Sequence, residues 1–214
     1  MKILAICEEG ANDIHSHGKV AKEGLAFLKG EFELLYAASA PDEGMVGYDA
    51  VIVAGDKIGE GIEERFEKYL NCGGGIVFLH AGIVACNHSP FLKSVSGCTF
   101  VNHPEQCVVE CAVTSPHPVA EGVTGFAETD EQYFIDVSAK DTDVFLEGRS
   151  NHGTQPSGYT RIHSGGNRVC VLTPGHNLSV FENAQYKKII RNAVLWVCLH
   201  PLKGEGDRRS GGGV

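Results

Sequence analysis

Histidines are concentrated in the segments that follow the predicted strands of this sequence. Imidazole can transfer protons or bind a metal ion near neutral pH, so these positions are candidates for chemistry. Four of the ten histidines have such positions: His80, His103, His176 and, after the first strand, either His15 or His17. His80 ends a continuous apolar strand, and His176 lies on a tight strand-to-helix turn. The alternative at each position is a solvated or purely structural histidine.

Two adjacent carboxylates, Asp130 and Glu131, open a strand-like segment that ends at Ile135. Because neighbouring residues of a strand point to opposite faces, at most one of the two is expected to face a pocket, and the other to bond loop amides. A partly buried carboxylate beside histidines can act as a general acid or base, or as a metal ligand. The alternative is a charge left in solvent. The predicted catalytic residues are His80, His103, Glu131 and His176.

Five further residues in the same segments are predicted to bind the substrate. They are His17, Gly55, Asp130, Tyr133 and Asn177. The histidine and carboxylate content is compatible with a divalent metal such as zinc, but the sequence has no H-x-x-x-H or comparable spacing that would demand one. The cofactor therefore stays open.

A sheet is needed to gather these residues, and the first half of the chain alternates strand and helix patterns. Apolar runs predict four buried strands, at residues 2–7, 31–38, 49–54 and 76–79. Residues 62–70 carry the apolar stripe of an amphipathic helix. Apolar strands separated by such helices are typical of a parallel sheet covered on both faces. Ligands of these sheets bind beyond the carboxyl ends of the strands.

The second half predicts more strands, some of them antiparallel, followed by one long helix. The strand-like segments are 106–114, 132–137, 144–148, 158–163 and 168–173. The helix spans about 180–199, with Ser179 and Glu182 as a capping box. We expect one domain over residues 1–199 and a disordered, Gly-rich tail over 200–214.

Composition excludes several classes of partner. The chain has 214 residues, 18 of them basic and 27 acidic, and its net charge of −9 argues against nucleic acid and anionic membranes as partners. No apolar run reaches the length of a membrane span, and the N-terminus lacks the pattern of a signal peptide, so a cytoplasmic protein is expected. A homodimer would be ordinary for such a fold, but no exposed apolar stripe in the sequence requires one.

Eight cysteines are present, and none forms a C-x-x-C pair. This pattern favours free thiols that pack as small apolar residues in a reducing compartment. The alternative is a reactive thiol at Cys86 or Cys7.

Several motifs, taken together, resemble the ThuA-like family, which is named for trehalose utilisation. They lie at residues 73–82, 97–104, 117–119, 130–133, 168–177 and 191–196, and their order and spacing match from about residue 1 to 199. The resemblance implies a flavodoxin-like three-layer α/β sandwich with a mostly parallel central sheet, of the class I glutamine amidotransferase-like superfamily.

Amidotransferases of that superfamily carry a nucleophilic cysteine at a G-x-C-x-G elbow after a central strand. The matching segment here reads Leu79-His80-Ala81-Gly82-Ile83 and contains no cysteine. Without a thiolate at this turn an acyl-enzyme cannot form, so glutaminase activity is excluded.

The resemblance implies a role in carbohydrate catabolism, in particular of disaccharides and of 3-keto-sugars made by partner dehydrogenases. The implied partner is a small uncharged carbohydrate. The implied reaction is proton abstraction beside a carbonyl, with isomerisation or elimination of a keto-glycoside. Tyr159 stands where many members have a tryptophan, so the identity of the sugar is not predicted. The alternatives are a non-catalytic sugar-binding or regulatory member of the superfamily, and a thiol-dependent hydrolase.

Overall fold

A nine-stranded sheet and a two-stranded ribbon organise the computed structural model, which describes residues 1–7, 17–59 and 61–199. The sheet contains β1 (Lys2–Ile6), β2 (Glu33–Ala37), β3 (Ala50–Val53), β4 (Gly75–Leu79), β6 (Cys107–Val113), β7 (Phe126–Asp130), β9 (Thr142–Ser150), β10 (Gly153–Ile162) and β11 (Arg168–Leu172). The ribbon pairs β5 (Cys98–Asn102) with β8 (Phe134–Val137). His15 and the predicted tail at 200–214 lie outside the described residues.

The large sheet is mixed, with the order β2-β1-β3-β4-β11-β10-β9-β6-β7. The first five strands are parallel to one another, and every pairing from β11 to β7 is antiparallel. The expected mostly parallel sheet is therefore corrected to a sheet with a parallel half and an antiparallel half. The physical reason is connectivity, since β9 and β10 are joined by a two-residue hairpin turn that only antiparallel strands can use.

Burial separates the two halves in the same way. The four predicted strands of the first half are present, and β3 and β4 are buried along their whole length. By contrast, exposed residues of β6 and β7 alternate with buried or half-buried ones, as expected for a sheet with one solvated face. Alternate residues of β1 and β3 point into two separate apolar cores, one on each face of the sheet.

Six α-helices occur among the described residues. They are α1 (His17–Gly24), α2 (Glu63–Asn71), α3 (Ala81–Cys86), α4 (Pro90–Ser96), α5 (Leu178–Glu182) and α6 (Ala184–Val197). Short 3-10 segments lie at Leu25–Gly30, Pro118–Ala120 and Ser164–Gly166. No helix in this part of the chain is long and apolar enough to cross a membrane.

The single helix predicted over about 180–199 is two helices, because the chain is extended at Asn183. Its φ of −61° and ψ of 124° break the helix, and its side-chain oxygen accepts a hydrogen bond from Gln185 N, which caps α6. The predicted capping box of Ser179 and Glu182 is wrong, since α5 already begins at Leu178.

Candidate active site

The candidate site lies where the carboxyl ends of the parallel strands meet a loop from the antiparallel half. His80 directly follows β4, and His176 lies in the turn between β11 and α5. His17 is the first residue of α1. The segment between β7 and β8 contributes Glu131, and His103 follows β5. Residues distant in sequence are therefore brought to one edge of the sheet.

His80 makes a strained turn between strand and helix. Its φ of 44° and ψ of −108° make it the one non-glycine residue with a positive φ in the described ranges. The turn has no room to relax, because α3 begins at Ala81 and a Cβ at Gly82 would overlap the carbonyl of Val53. Such a conformation costs about 1–3 kcal/mol and is concentrated at functional sites.

The side chain of His80 is anchored on one nitrogen only. Its Nδ1 lies 2.8 Å from the carbonyl oxygen of Thr173, and because a carbonyl can only accept, Nδ1 carries the proton. Its Nε2 is buried without a hydrogen-bond partner and lies 3.6 Å from Glu131 Oε2. The ring packs on Tyr133, with centroids 4.2 Å apart and planes at 28°. His80 thus presents one nitrogen in a fixed orientation toward the site.

Three imidazoles converge on a single oxygen of Glu131. Its Oε2 lies 3.1 Å from His176 Nδ1, 3.6 Å from His80 Nε2 and 3.6 Å from His103 Nε2. Burial alone raises the pKa of Glu131, but the contacts with His176 and His80 outweigh it and hold the pKa well below its usual range. Contact with Glu131 raises the pKa of His176, although burial acts in the opposite direction. Glu131 is therefore an ionised carboxylate.

Asp130 holds the turn that carries His176. Its two carboxylate oxygens accept hydrogen bonds from Gly175 N at 2.8 Å and from His176 N at 2.9 Å. The residue is 3% exposed, and this burial raises its pKa. One member of the acidic pair, Asp130, thus bonds loop amides and positions the turn of His176, and its role in substrate binding stays a prediction. The pair closes β7 and does not open a strand, unlike the predicted arrangement.

Two positioning residues, Thr173 and Gln132, were not among the predicted site residues, although both lie in the family-like segments 168–177 and 130–133. The Thr173 carbonyl, which orients His80, is a main-chain group that any residue could supply. The buried Gln132 donates to Gly148 O and Gly153 O, and its Oε1 accepts from Ser150 Oγ, so it fastens the Glu131 segment to the β9–β10 hairpin.

The other predicted substrate-binding residues have varied surroundings. The ring centroid of His17 lies 5.7 Å from that of His80 and 5.1 Å from that of His176. Tyr133 is stacked with both His80 and His103. Gly55 is buried just after β3. Asn177 donates to the side chain of Gln106 and to the carbonyl of Thr129, which fastens the start of α5.

One group of side chains in the described ranges has the geometry of a metal site. His17, His80 and His176 each bring a nitrogen to within 4.8 Å of the other two. Three imidazoles with an open position are a ligand set that suits zinc and similar divalent ions.

A cleft of about 610 Å³ provides space for a small molecule beyond β3. It is lined by residues 56–59, 61–63, 85 and 88–89. Asp56, which lines the cleft, acts electrostatically on His17. Burial and the neighbouring His80 and His176 lower the pKa of His17, and Glu131 and Asp56 oppose this.

The thiols do not take part in this arrangement. Cys7 and Cys86 are both buried. Burial raises the pKa of Cys7 to about 12 and raises that of Cys86 further, while Cys86 Sγ donates to the carbonyl of Gly82. Because the thiolate is the nucleophile, neither residue suits a thiol-dependent hydrolase.

Known proteins match this chain in family and in fold. The family model of ThuA, described as trehalose utilisation, matches residues 13–197. A ThuA-like protein from Bacteroides uniformis superposes with a TM-score of 0.73 at 23% identity, covering 92% of this chain and 90% of its own. A ThuA-like protein from Parabacteroides merdae gives a TM-score of 0.76 at 18% identity, with the same coverage of 92% and 90%.

The same fold recurs in a larger protein. A cold-adapted β-galactosidase from Rahnella sp. R3 has a TM-score of 0.66 at 12% identity over 91% of this chain, but only 31% of the galactosidase is covered. No curated protein matches the chain. Since the family model covers nearly all of the described residues, the chain belongs to the ThuA family, the family described by trehalose utilisation.

Proposed function

We propose that this protein is an enzyme of carbohydrate breakdown that removes a proton from the carbon beside the carbonyl of a keto-disaccharide or keto-glycoside. Isomerisation or elimination follows from the resulting enediolate. The observation that carries the proposal is the convergence of His80, His103 and His176 on one oxygen of an ionised Glu131.

Glu131 is the proposed base. Proton abstraction beside a carbonyl needs an ionised base and a positive group that stabilises the developing oxyanion. Glu131 is ionised and keeps 12% of its side chain exposed, so a substrate can reach it. The positive group belongs to the adjoining histidine cluster. Positioned bases contribute a rate factor of about 100 to 10,000, and the lowered pKa of Glu131 places its contribution at the lower end of this range.

A cleft lined by Asp56, which acts electrostatically on His17, suits a polar substrate of disaccharide size. Small-molecule sites occupy about 300–1,000 Å³, and this cleft of about 610 Å³ falls within that range. Its lining combines charged Asp56, Lys57 and Glu63 with apolar Ile58 and Ile62, so it offers hydrogen bonds to hydroxyl groups and an apolar surface to a sugar ring. This agrees with the family's description, trehalose utilisation.

Hydrogen exchange tests the proposal directly. The protein is incubated with a 3-keto-disaccharide in D₂O, and proton NMR follows the loss of the signal at the carbon beside the carbonyl. The wild type should accelerate this exchange, and Glu131→Gln should reduce the acceleration by about 100-fold or more. Glu110→Gln, an exposed glutamate on β6, is the matched control and should exchange like the wild type.

Two results would contradict the proposal. Equal exchange by the wild type and Glu131→Gln would remove the assigned base. Saturable sugar binding, measured by calorimetry, without exchange or product would instead indicate the non-catalytic sugar-binding member of the superfamily.

A further inference from the structure

We propose that His17, His80 and His176 together bind one divalent transition-metal ion, with zinc as the best match. The inference rests on the proposed function, because the ion would be the positive group that stabilises the oxyanion in that site. It also stands on independent geometry, so metal binding can be tested without a substrate.

The spacing of the three nitrogens is close to that of a zinc site. They lie within 4.8 Å of one another. Two nitrogens bound tetrahedrally at about 2.0–2.1 Å from zinc lie about 3.4 Å apart, so closure needs side-chain movements of about 1 Å. His17 is half-buried and His80 is fully buried, so the ion would lie at the inner end of the site.

The ring orientation of His80 leaves its second nitrogen directed into the site. The Thr173 carbonyl accepts the hydrogen bond of Nδ1, so Nε2 is the nitrogen that is free to bind a ligand. It lies 3.6 Å from Glu131 Oε2 and is buried without a hydrogen-bond partner. Because a buried nitrogen without a partner is costly, a metal ion bound there would satisfy it.

The surroundings of His176 and His80 match the supporting contacts of metal-binding histidines. Such ligands usually direct their second ring nitrogen to a carboxylate or a backbone carbonyl, which fixes the orientation of the first. His176 contacts Glu131 through Nδ1, and His80 contacts the Thr173 carbonyl through Nδ1. Asp130 holds the backbone of His176 as well.

The ligand set points to the class of metal. Imidazole suits zinc and its transition-metal neighbours, whereas magnesium and calcium require oxygen ligands. Three protein ligands and an open position are the arrangement of catalytic zinc, since structural zinc sites have four protein ligands. The described group contains three histidines and no cysteine.

Metal analysis of untagged, full-length protein tests the inference. The protein is stripped with a chelator and titrated with zinc chloride by calorimetry, and bound zinc is counted by mass spectrometry after dialysis. The wild type should bind about one equivalent. His17→Ala and His176→Ala should each weaken binding by more than about 100-fold, which exceeds the effect of losing a supporting contact. Cobalt(II) should give the visible absorption of a low-coordinate histidine site, and both variants should lose it.

His103→Ala is the matched control. This histidine also contacts Glu131 but is not one of the three close nitrogens, so its variant should keep zinc affinity within about threefold. The inference is overturned if the wild type binds no stoichiometric zinc, or if His17→Ala and His176→Ala bind it like the wild type. Proton exchange by a wild type that binds no zinc would keep the proposed function and remove only the metal, whereas zinc binding without exchange would do the reverse.

Discussion

Two histidines that pack on aromatic rings, His80 and His117, differ in backbone conformation and in the hydrogen bonds of their ring nitrogens. His117 lies on an extended backbone with φ of −148° and ψ of 146°, and its ring is stacked on Phe145. Its Nδ1 accepts a hydrogen bond from Val119 N at 3.1 Å, and its Nε2 lies 3.0 Å from Thr160 Oγ1. The fold thus uses both ring nitrogens of His117.

His80 differs from His117 in both respects. Its backbone is strained, one nitrogen is bonded to a main-chain carbonyl, and the other is buried without a hydrogen bond. A fold optimised for stability alone would relax the turn and pair that nitrogen. The comparison teaches that the unused hydrogen-bonding capacity of a histidine, more than its burial, marks it for chemistry.

The largest contrast is expected from His80→Gly, which should abolish function with little loss of stability. Turnover of a confirmed keto-sugar substrate should fall by at least about 100-fold, since the orienting ring is lost. The free energy of unfolding should fall by no more than about 2 kcal/mol. Relief of about 1–3 kcal/mol of backbone strain offsets much of the lost hydrogen bond to Thr173, the lost packing on Tyr133 and the greater chain entropy of glycine. Steady-state kinetics and urea unfolding measure the two quantities.

The contrast between the histidines would break if His80→Gly kept its turnover, or if it lost several kcal/mol of stability. Either result would make His80 a structural residue like His117.

A second change, Asp130→Asn, acts on the site through the turn that carries His176. An amide group can offer only one oxygen to the two N–H groups of Gly175 and His176, and its own NH₂ would face a donor. Displacement of His176 should lower zinc affinity by about 10- to 100-fold, as for other supporting residues. Zinc titration measures this, and Glu128→Gln on the same strand is the control. Unchanged affinity would show that the turn does not depend on Asp130.

The sequence predicted the parallel half of the fold better than the antiparallel half. Continuous apolar runs mark β3 and β4, whose residues are all buried. The strands β5 and β7 were not predicted, because polar or exposed residues interrupt their apolar patterns. No sequence pattern predicted the helix break at Asn183, where one extended residue divides a long apolar stripe into two helices.

The site was predictable in its residue types but not in its contacts. The rule that ligands bind beyond the carboxyl ends of the strands selected His80, His103 and His176. The structure brings all three to within 3.6 Å of one carboxylate oxygen. The rule did not decide which of Asp130 and Glu131 faces inward, because that depends on where β7 ends. Their catalytic roles stay predictions.

A third change, His117→Ala, tests the structural side of the comparison. It removes a ring that contacts Phe145 and Trp196, and it leaves Val119 N and Thr160 Oγ1 without their partner. The free energy of unfolding should fall by about 1–3 kcal/mol, and turnover of the folded protein should stay within about twofold. Urea unfolding and kinetics on the same preparations separate the effects. A loss of turnover at unchanged stability would place His117 in the functional site.

The smallest expected effect is a pH dependence of stability that belongs to His117. Burial lowers its pKa, the charge of Arg168 acts in the same direction, and Asp143 opposes them. Because the folded state holds the neutral ring, this contribution to stability is complete above the ordinary pKa of about 6.5 and is lost as the pH falls through the lowered value. Protonation would also remove the acceptor that Val119 N needs.

His117→Gln isolates this contribution, because an amide can accept and donate hydrogen bonds but does not titrate. Urea unfolding at a series of pH values between about 7 and about 5 should give a shallower loss of stability for the variant than for the wild type. All other ionisable groups are present in both proteins, so their contribution cancels in the difference between the two curves. Parallel curves would show that His117 titrates alike in the folded and unfolded states. Burial and the bond from Val119 would then not hold the ring neutral, and the contrast with His80 would rest on backbone strain and hydrogen bonding alone.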